Sequence, residues 1–260
     1  MRRTVPLPQT LLCLSACLAL APRPALAQHN TTRIVVPASG VASDTGAART
    51  YPSTIDVAPG GGDVYAVSVT LHNITHDCFS DLDILLAAPN GKALVLMSDA
   101  GGCAGVTQTR TITIDETVTT SVPKDQLPDG GRFRPTHYLN GWPDSYPQPA
   151  PGAQTGGYPF RGSSPAGSWR LFVMHSQSGH RGEIQAWTLA LRRQHKFEST
   201  THMAVPNGAP SETHGTASVY PATIVASGVT GRLVKVLSSI AFAHEDPDDL
   251  DVLLVGPGGH

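Results

Sequence analysis

From Tyr51 onward no stretch keeps apolar residues at every third or fourth position over helical length, and this excludes a helical fold. Short runs rich in Val, Ile, Leu and Thr take that place: "DVYAVSVTLHNI", "DLDILLAA", "KALVLMSD", "TRTITIDETV", "SWRLFVMHS" and "EIQAWTLALRR". Gly, Pro and Asn cut them apart, as strands are cut by turns. The pattern predicts an all-β sandwich. Residues 123–167 have the composition of a linker but hold Phe133, Tyr138, Trp142, Tyr146, Tyr158 and Phe160. That many aromatics predicts an ordered crossover laid over the sandwich.

The chain also repeats itself. "DLDILLAAPNG" (81–91) returns as "DLDVLLVGPGG" (249–259), Tyr51-Pro-x-Thr-Ile returns as Tyr220-Pro-x-Thr-Ile, and His76 returns as His244. Copies in register mean two domains of one kind. The expected division is a signal peptide over 1–27, an N-terminal linker or loosely held strand over 28–50 and a sandwich over 51–194. A linker over 195–215 and the truncated start of a second copy over 216–260 complete it.

At the N-terminus, Arg2 and Arg3 precede the apolar run Leu11–Ala21 and a small-x-small site at Ala25-Leu26-Ala27. This is the pattern of a secretory signal cleaved after Ala27. The run is about half the ~20 residues of a membrane span. "LSAC", ending at Cys17, gives the alternative of a lipoprotein. Losing residues 1–27 removes three arginines and no acid, taking the formal charge from −2 to −5. An acidic chain has no electrostatic footprint for nucleic acid. The expected location is outside the cell or on its surface, with a protein partner or neighbouring domain, no nucleic acid and no membrane span.

Cys78 and Cys103 are the pair left in an oxidising destination. A two-residue type I′ turn at Asn90-Gly91 would pair Leu86 with Val95, Leu85 with Leu96, Ile84 with Met97 and Leu82 with Asp99. It would also set Cys78 opposite Cys103, so a disulfide is expected there. Apolar residues on both faces place this hairpin inside the sandwich.

"HDCFSDLDILLAAPNGKALVLMSDAGG", "GRFRPTHYLNGWPDSYPQPAPG" and "PAGSWRLFVMHSQSGHRGEIQAWTLAL" together resemble the P domain (homo B domain) that follows subtilisin-like catalytic domains in proprotein convertases. The form they are most similar to is the one repeated in bacterial secreted proteins. The resemblance implies a jelly-roll-type antiparallel β-sandwich that supports a neighbouring catalytic domain or serves as a surface module. Two positions depart from it: His175 stands where the family carries Asp, and Gly179-His180 where it carries Gly-Asp.

Asp44 in "SDTGA" and His214 in "HGTA" echo subtilisin motifs, yet no "GTS" serine motif accompanies them. The chain is therefore read as non-catalytic. His72, His76, Asp77 and Cys78 match no closed zinc spacing. Asp81, Asp83 and Asp99 form the expected calcium site, since hard oxygen donors suit Ca²⁺. Three functions stay open: a non-catalytic interaction or support module, the accessory part of a subtilisin-like serine protease, and a carbohydrate-binding jelly roll using Trp142 and Tyr146.

Overall fold

The computed structural model describes residues 27–103, 108–138, 144–152, 156–205, 215–244 and 246–259. Among these the chain forms twelve strands: β1 (Ala27–Asn30), β2 (Ile34–Val36), β3 (Gly46–Ala47), β4 (Ser53–Val57), β5 (Asp63–His76), β6 (Leu82–Ala87), β7 (Ala93–Ser98), β8 (Arg110–Asp115), β9 (Arg132–Phe133), β10 (Thr136–His137), β11 (Gly167–His175) and β12 (Gly182–Gln194). Two sheets of six face each other. One runs β1-β12-β5-β8-β9 with β2 also on β12; the other runs β10-β7-β6-β11-β3 with β4 also on β11. The all-β sandwich expected from the strand pattern is what the chain forms. The sheets are mixed rather than wholly antiparallel, because β9 lies parallel to β8 and β10 parallel to β7. Both parallel strands come from the 123–167 crossover, which approaches each sheet at its edge.

Alternation along the strands builds the core between the sheets. Trp187 of β12 and Trp169 of β11, one from each sheet, are the two largest fully buried side chains. Their indole N–H groups donate to Ser53 Oγ at 2.9 Å and to the Pro165 carbonyl at 2.8 Å. Each buried donor thus has its partner. β6 and β7 are buried at all twelve positions. Their inner face joins the main core, whereas Leu85, Ala87, Ala93 and Val95 form a second cluster with Phe172 under Tyr51, Tyr146 and Ala150. Tyr146 and Ala150 belong to the crossover, and its Phe133 and Phe160 enter the main core. The crossover does lay aromatic side chains over the sandwich.

Three expectations are decided or corrected by the fold. Of the two alternatives for residues 28–50, linker or strand, the chain takes the strand: β1 and β2 pair with β12, β3 pairs with β11, and Ile34 and Val36 are fully buried. Three-residue strands carry too little periodicity to stand out in sequence. The hairpin turn is also longer than two residues. The amide of Gly91 donates to Ala88 O and that of Ala88 to Lys92 O, with Gly91 at φ 84°. This is a three-residue turn whose first central position Pro89 fills, its ring fixing φ near −65°. The register becomes Leu86 with Leu94 and Leu85 with Val95; a bulge at Leu96 then restores the expected pairing of Ile84 with Met97. Leu82 does not face Asp99, which lies beyond the ladder.

Third, Cys78 and Cys103 are joined, but not as partners across that ladder. Cys78 precedes a 3-10 turn, Phe79–Asp81, and Cys103 follows Gly101 and Gly102, both at positive φ. The Phe79 amide donates to Gly102 O at 2.9 Å and brings the two segments together.

The repeated sequence segment carries the same turn. Pro247–Asp249 is a 3-10 turn at the same place in the repeat as Phe79–Asp81. His244 Nδ1 accepts the Asp246 amide at 3.1 Å as His76 Nδ1 accepts the Cys78 amide at 3.0 Å. Described residues beyond Gln194 form no strand, and Val234, Leu237 and Leu253 stand exposed.

Candidate functional site: an acid-lined cleft

Alternation along β6 sends Leu82, Ile84 and Leu86 into the main core and Leu85 and Ala87 to the opposite face. Asp83 shares the parity of that opposite face. There it lines a cleft of about 340 Å³ with Asp99, Asp144, Ser145, His175 and Ser176. Asp99 follows β7 at φ 52°, a left-handed conformation that Asp tolerates better than most residues. Asp144 arrives on the crossover, and His137 comes from β10 beside the end of β7. One donor atom each from Asp99, His137 and Asp144 lie within 4.8 Å of one another.

The electrostatics follow from gathering acids under a protein surface. Asp83 is 2% exposed, and its Oδ1 accepts no hydrogen bond. Burial, together with the charges of Asp144 and Asp99, pushes its carboxyl up to about 8, against the opposing pull of the nearby Ser98 and Ser176 hydroxyls. Burial and the charges of Asp83 and Asp144 likewise push the Tyr146 phenol up. His137 Nε2 and Asp144 Oδ2 face each other at 3.5 Å, too far and too poorly aimed for a hydrogen bond.

A second polar corner lies at the 3-10 turn. His180 Nδ1 and Asp81 Oδ2 are 2.7 Å apart, and the His76 and His175 rings are 5.1 Å apart. Burial, reinforced by the facing His175, lowers His76 to about 4. Burial lowers His175 as well. His76 Nδ1 is the acceptor for Cys78, so the neutral ring carries its proton on Nε2. At the two positions that depart from the P-domain pattern this chain therefore has imidazoles, and one of them pairs with Asp81.

The expected calcium trio is accordingly divided. Asp83 and Asp99 share the cleft, but Asp81 does not line it, because the 3-10 turn takes it out of the β6 alternation and hands it to His180. Asp44 is exposed, and His214 and Trp142 lie outside the described residues. Tyr146 is not an open aromatic platform, since its ring packs on the second cluster. His72 Nε2 is engaged by Thr188 Oγ1 at 2.6 Å and Cys78 by its disulfide, so the His72–Cys78 segment gathers no zinc site. Asp144 and His137 escaped the sequence reading. Neither sits in a motif, and only the path of the crossover brings them to Asp99.

No family model and no curated protein matches this chain. Among solved structures it is similar to the serine protease of Aeromonas sobria. One is the complex of that protease with its chaperone (18% identity over 68% of this chain, TM-score 0.33), the other the protease itself (18% over 66%, TM-score 0.29). This chain spans 28% of the length of each.

Proposed function

We propose that this protein is an exported, non-catalytic β-sandwich module, similar to a P domain, that engages a protein partner or supports a neighbouring domain. The observation that carries the reading is where its most distinctive residues sit. The "GSWRLFV" and "GEIQAWTLAL" segments are β11 and β12, each hydrogen-bonded on both sides within its own sheet, and their tryptophans fill the space between the sheets. The signature thus serves packing, as expected of a scaffold. The accessory role beside a subtilisin-like protease is the second reading and rests on the P-domain resemblance. The carbohydrate reading loses support, because Tyr146 is committed to packing.

Expression of the full chain in a secreting bacterial host tests this. The expected product lies outside the cytoplasm, begins at Gln28 and takes no serine-directed fluorophosphonate label. A product that keeps Met1 in the cytoplasm, or a stoichiometrically labelled serine, overturns it. Mass spectrometry of the N-terminus separates this from a lipid-modified Cys17.

A further inference from the structure

We propose that Asp99, His137 and Asp144 bind one first-row divalent cation, Zn²⁺ above Mn²⁺, with an open coordination position facing the cleft. The first support is distance. An ion with bonds of about 2.0–2.2 Å in tetrahedral geometry holds neighbouring donor atoms about 3.4 Å apart. His137 Nε2 and Asp144 Oδ2 stand 3.5 Å apart and make no hydrogen bond to each other. A donor atom of Asp99 lies within 4.8 Å of both. An ion placed between these groups reaches all three with small side-chain rotations.

The second support is independent of the cluster. Asp83, almost wholly buried on the outer face of β6 and with Oδ1 accepting nothing, lines the same cleft as Asp99 and Asp144. A buried carboxyl oxygen without a donor is costly, and a cation beside it removes much of that cost. Three protein ligands leave a position for water or for an outside ligand, and two of them, Asp99 and Asp144, line the cleft.

The donor types choose the ion. Imidazole suits zinc and its neighbours, whereas Ca²⁺ takes six to eight oxygens and gains little from nitrogen. Two carboxylates with one imidazole therefore favour Zn²⁺, and the Irving–Williams order sets Zn²⁺ above Mn²⁺. The site shares Asp99 with the calcium trio suggested by the sequence, but Asp81 is absent from it.

The test uses the full chain, stripped with chelator and titrated calorimetrically with ZnCl₂, MnCl₂ and CaCl₂. One Zn²⁺ per chain is expected, with weaker Mn²⁺ and no competition from millimolar Ca²⁺. Removing an outer-shell partner costs about 10- to 100-fold in affinity, so His137→Ala and Asp144→Asn are expected to cost about 100-fold or more. Asp81→Asn is expected to leave zinc affinity within about threefold, since that carboxylate faces His180 instead. X-ray absorption of zinc on the unmutated chain reads the ligands whatever the variants do; one nitrogen among oxygens and no sulfur is expected. Absence of zinc binding, Ca²⁺ binding as tight as Zn²⁺, zinc affinity unmoved by His137→Ala, or a sulfur or multi-histidine shell each overturns the proposal.

Discussion

Replacing Cys78 and Cys103 together by Ala removes a crosslink whose ends are separated by 25 residues. In the chain-entropy account, a loop of that length contributes about 3.5 kcal/mol by restricting the unfolded chain. The native segments remain held without the bond. Phe79 donates to Gly102 O, Gly101 donates to Pro123 O and Leu127 donates to Gly101 O, at 2.8–2.9 Å. The loss should therefore come from the unfolded state and leave the fold intact. For a sandwich of this size it corresponds to a Tm lower by roughly 7–14 °C. Urea unfolding of the oxidised parent and the double variant measures it, with a steeper slope expected for the uncrosslinked chain, which exposes more surface on unfolding. A loss below about 1 kcal/mol at unchanged slope would refute the reasoning.

Two further perturbations follow from buried groups and tight turns. His76 has a folded pKa near 4, below the unfolded value of about 6.5, so the stability it contributes is present above pH 6.5 and lost as pH falls towards 4. Glu116 has the opposite sign. Burial raises it to about 7 although Val67 N–H donates to it, so its contribution is present at low pH and lost as pH rises through 7. Between pH 4.5 and 6.5 the two slopes, each up to about 1.4 kcal/mol per pH unit, oppose each other. His76→Gln should therefore make stability fall more steeply as pH rises, and Glu116→Gln should make it rise, in urea melts across that range; parallel profiles for parent and variants would refute this. Gly91 and Gly102 both hold positive φ, but a Cβ at Gly91 meets open space and one at Gly102 runs into the Asp125 backbone. Gly91→Ala should cost about 1 kcal/mol, and Gly102→Ala at least about 2 kcal/mol more. Equal losses would show that the glycine-rich loop yields freely.

What the sequence disclosed was whatever alternation encodes. Leu85, apolar on the face opposite Ile84 and Leu86, was enough to place the β6–β7 hairpin inside the molecule, although Leu96, expected beside it, packs in the main core. Aromatics in the crossover foretold that something would cover its outer face. The register departs from the two-residue expectation because Pro89 lengthens the turn that Asn90-Gly91 alone signals. Strands as short as Ile34–Val36 have no period to read. At the site, parity was enough for Asp83, but Asp81 has the same parity and is diverted by a single 3-10 turn. Asp144 and His137 could not be found from spacing, since their nearness to Asp99 is a property of how the crossover passes over the sheet.

One strand decides when this molecule can exist as a folded body. β12 is the hydrogen-bonded partner of β1, β2 and β5 alike, with Gln28 facing Leu189 and Ile34 facing Ile184. At synthesis rates of about 5–20 residues per second, Gln28 waits roughly 8–32 s for its partner to be made. Until then the largest ladder is absent, and β5 lacks its longest neighbour. High contact order of this kind makes for slow closure and strand edges exposed in the meantime. The sandwich locks only when the residues around Trp187 have been made.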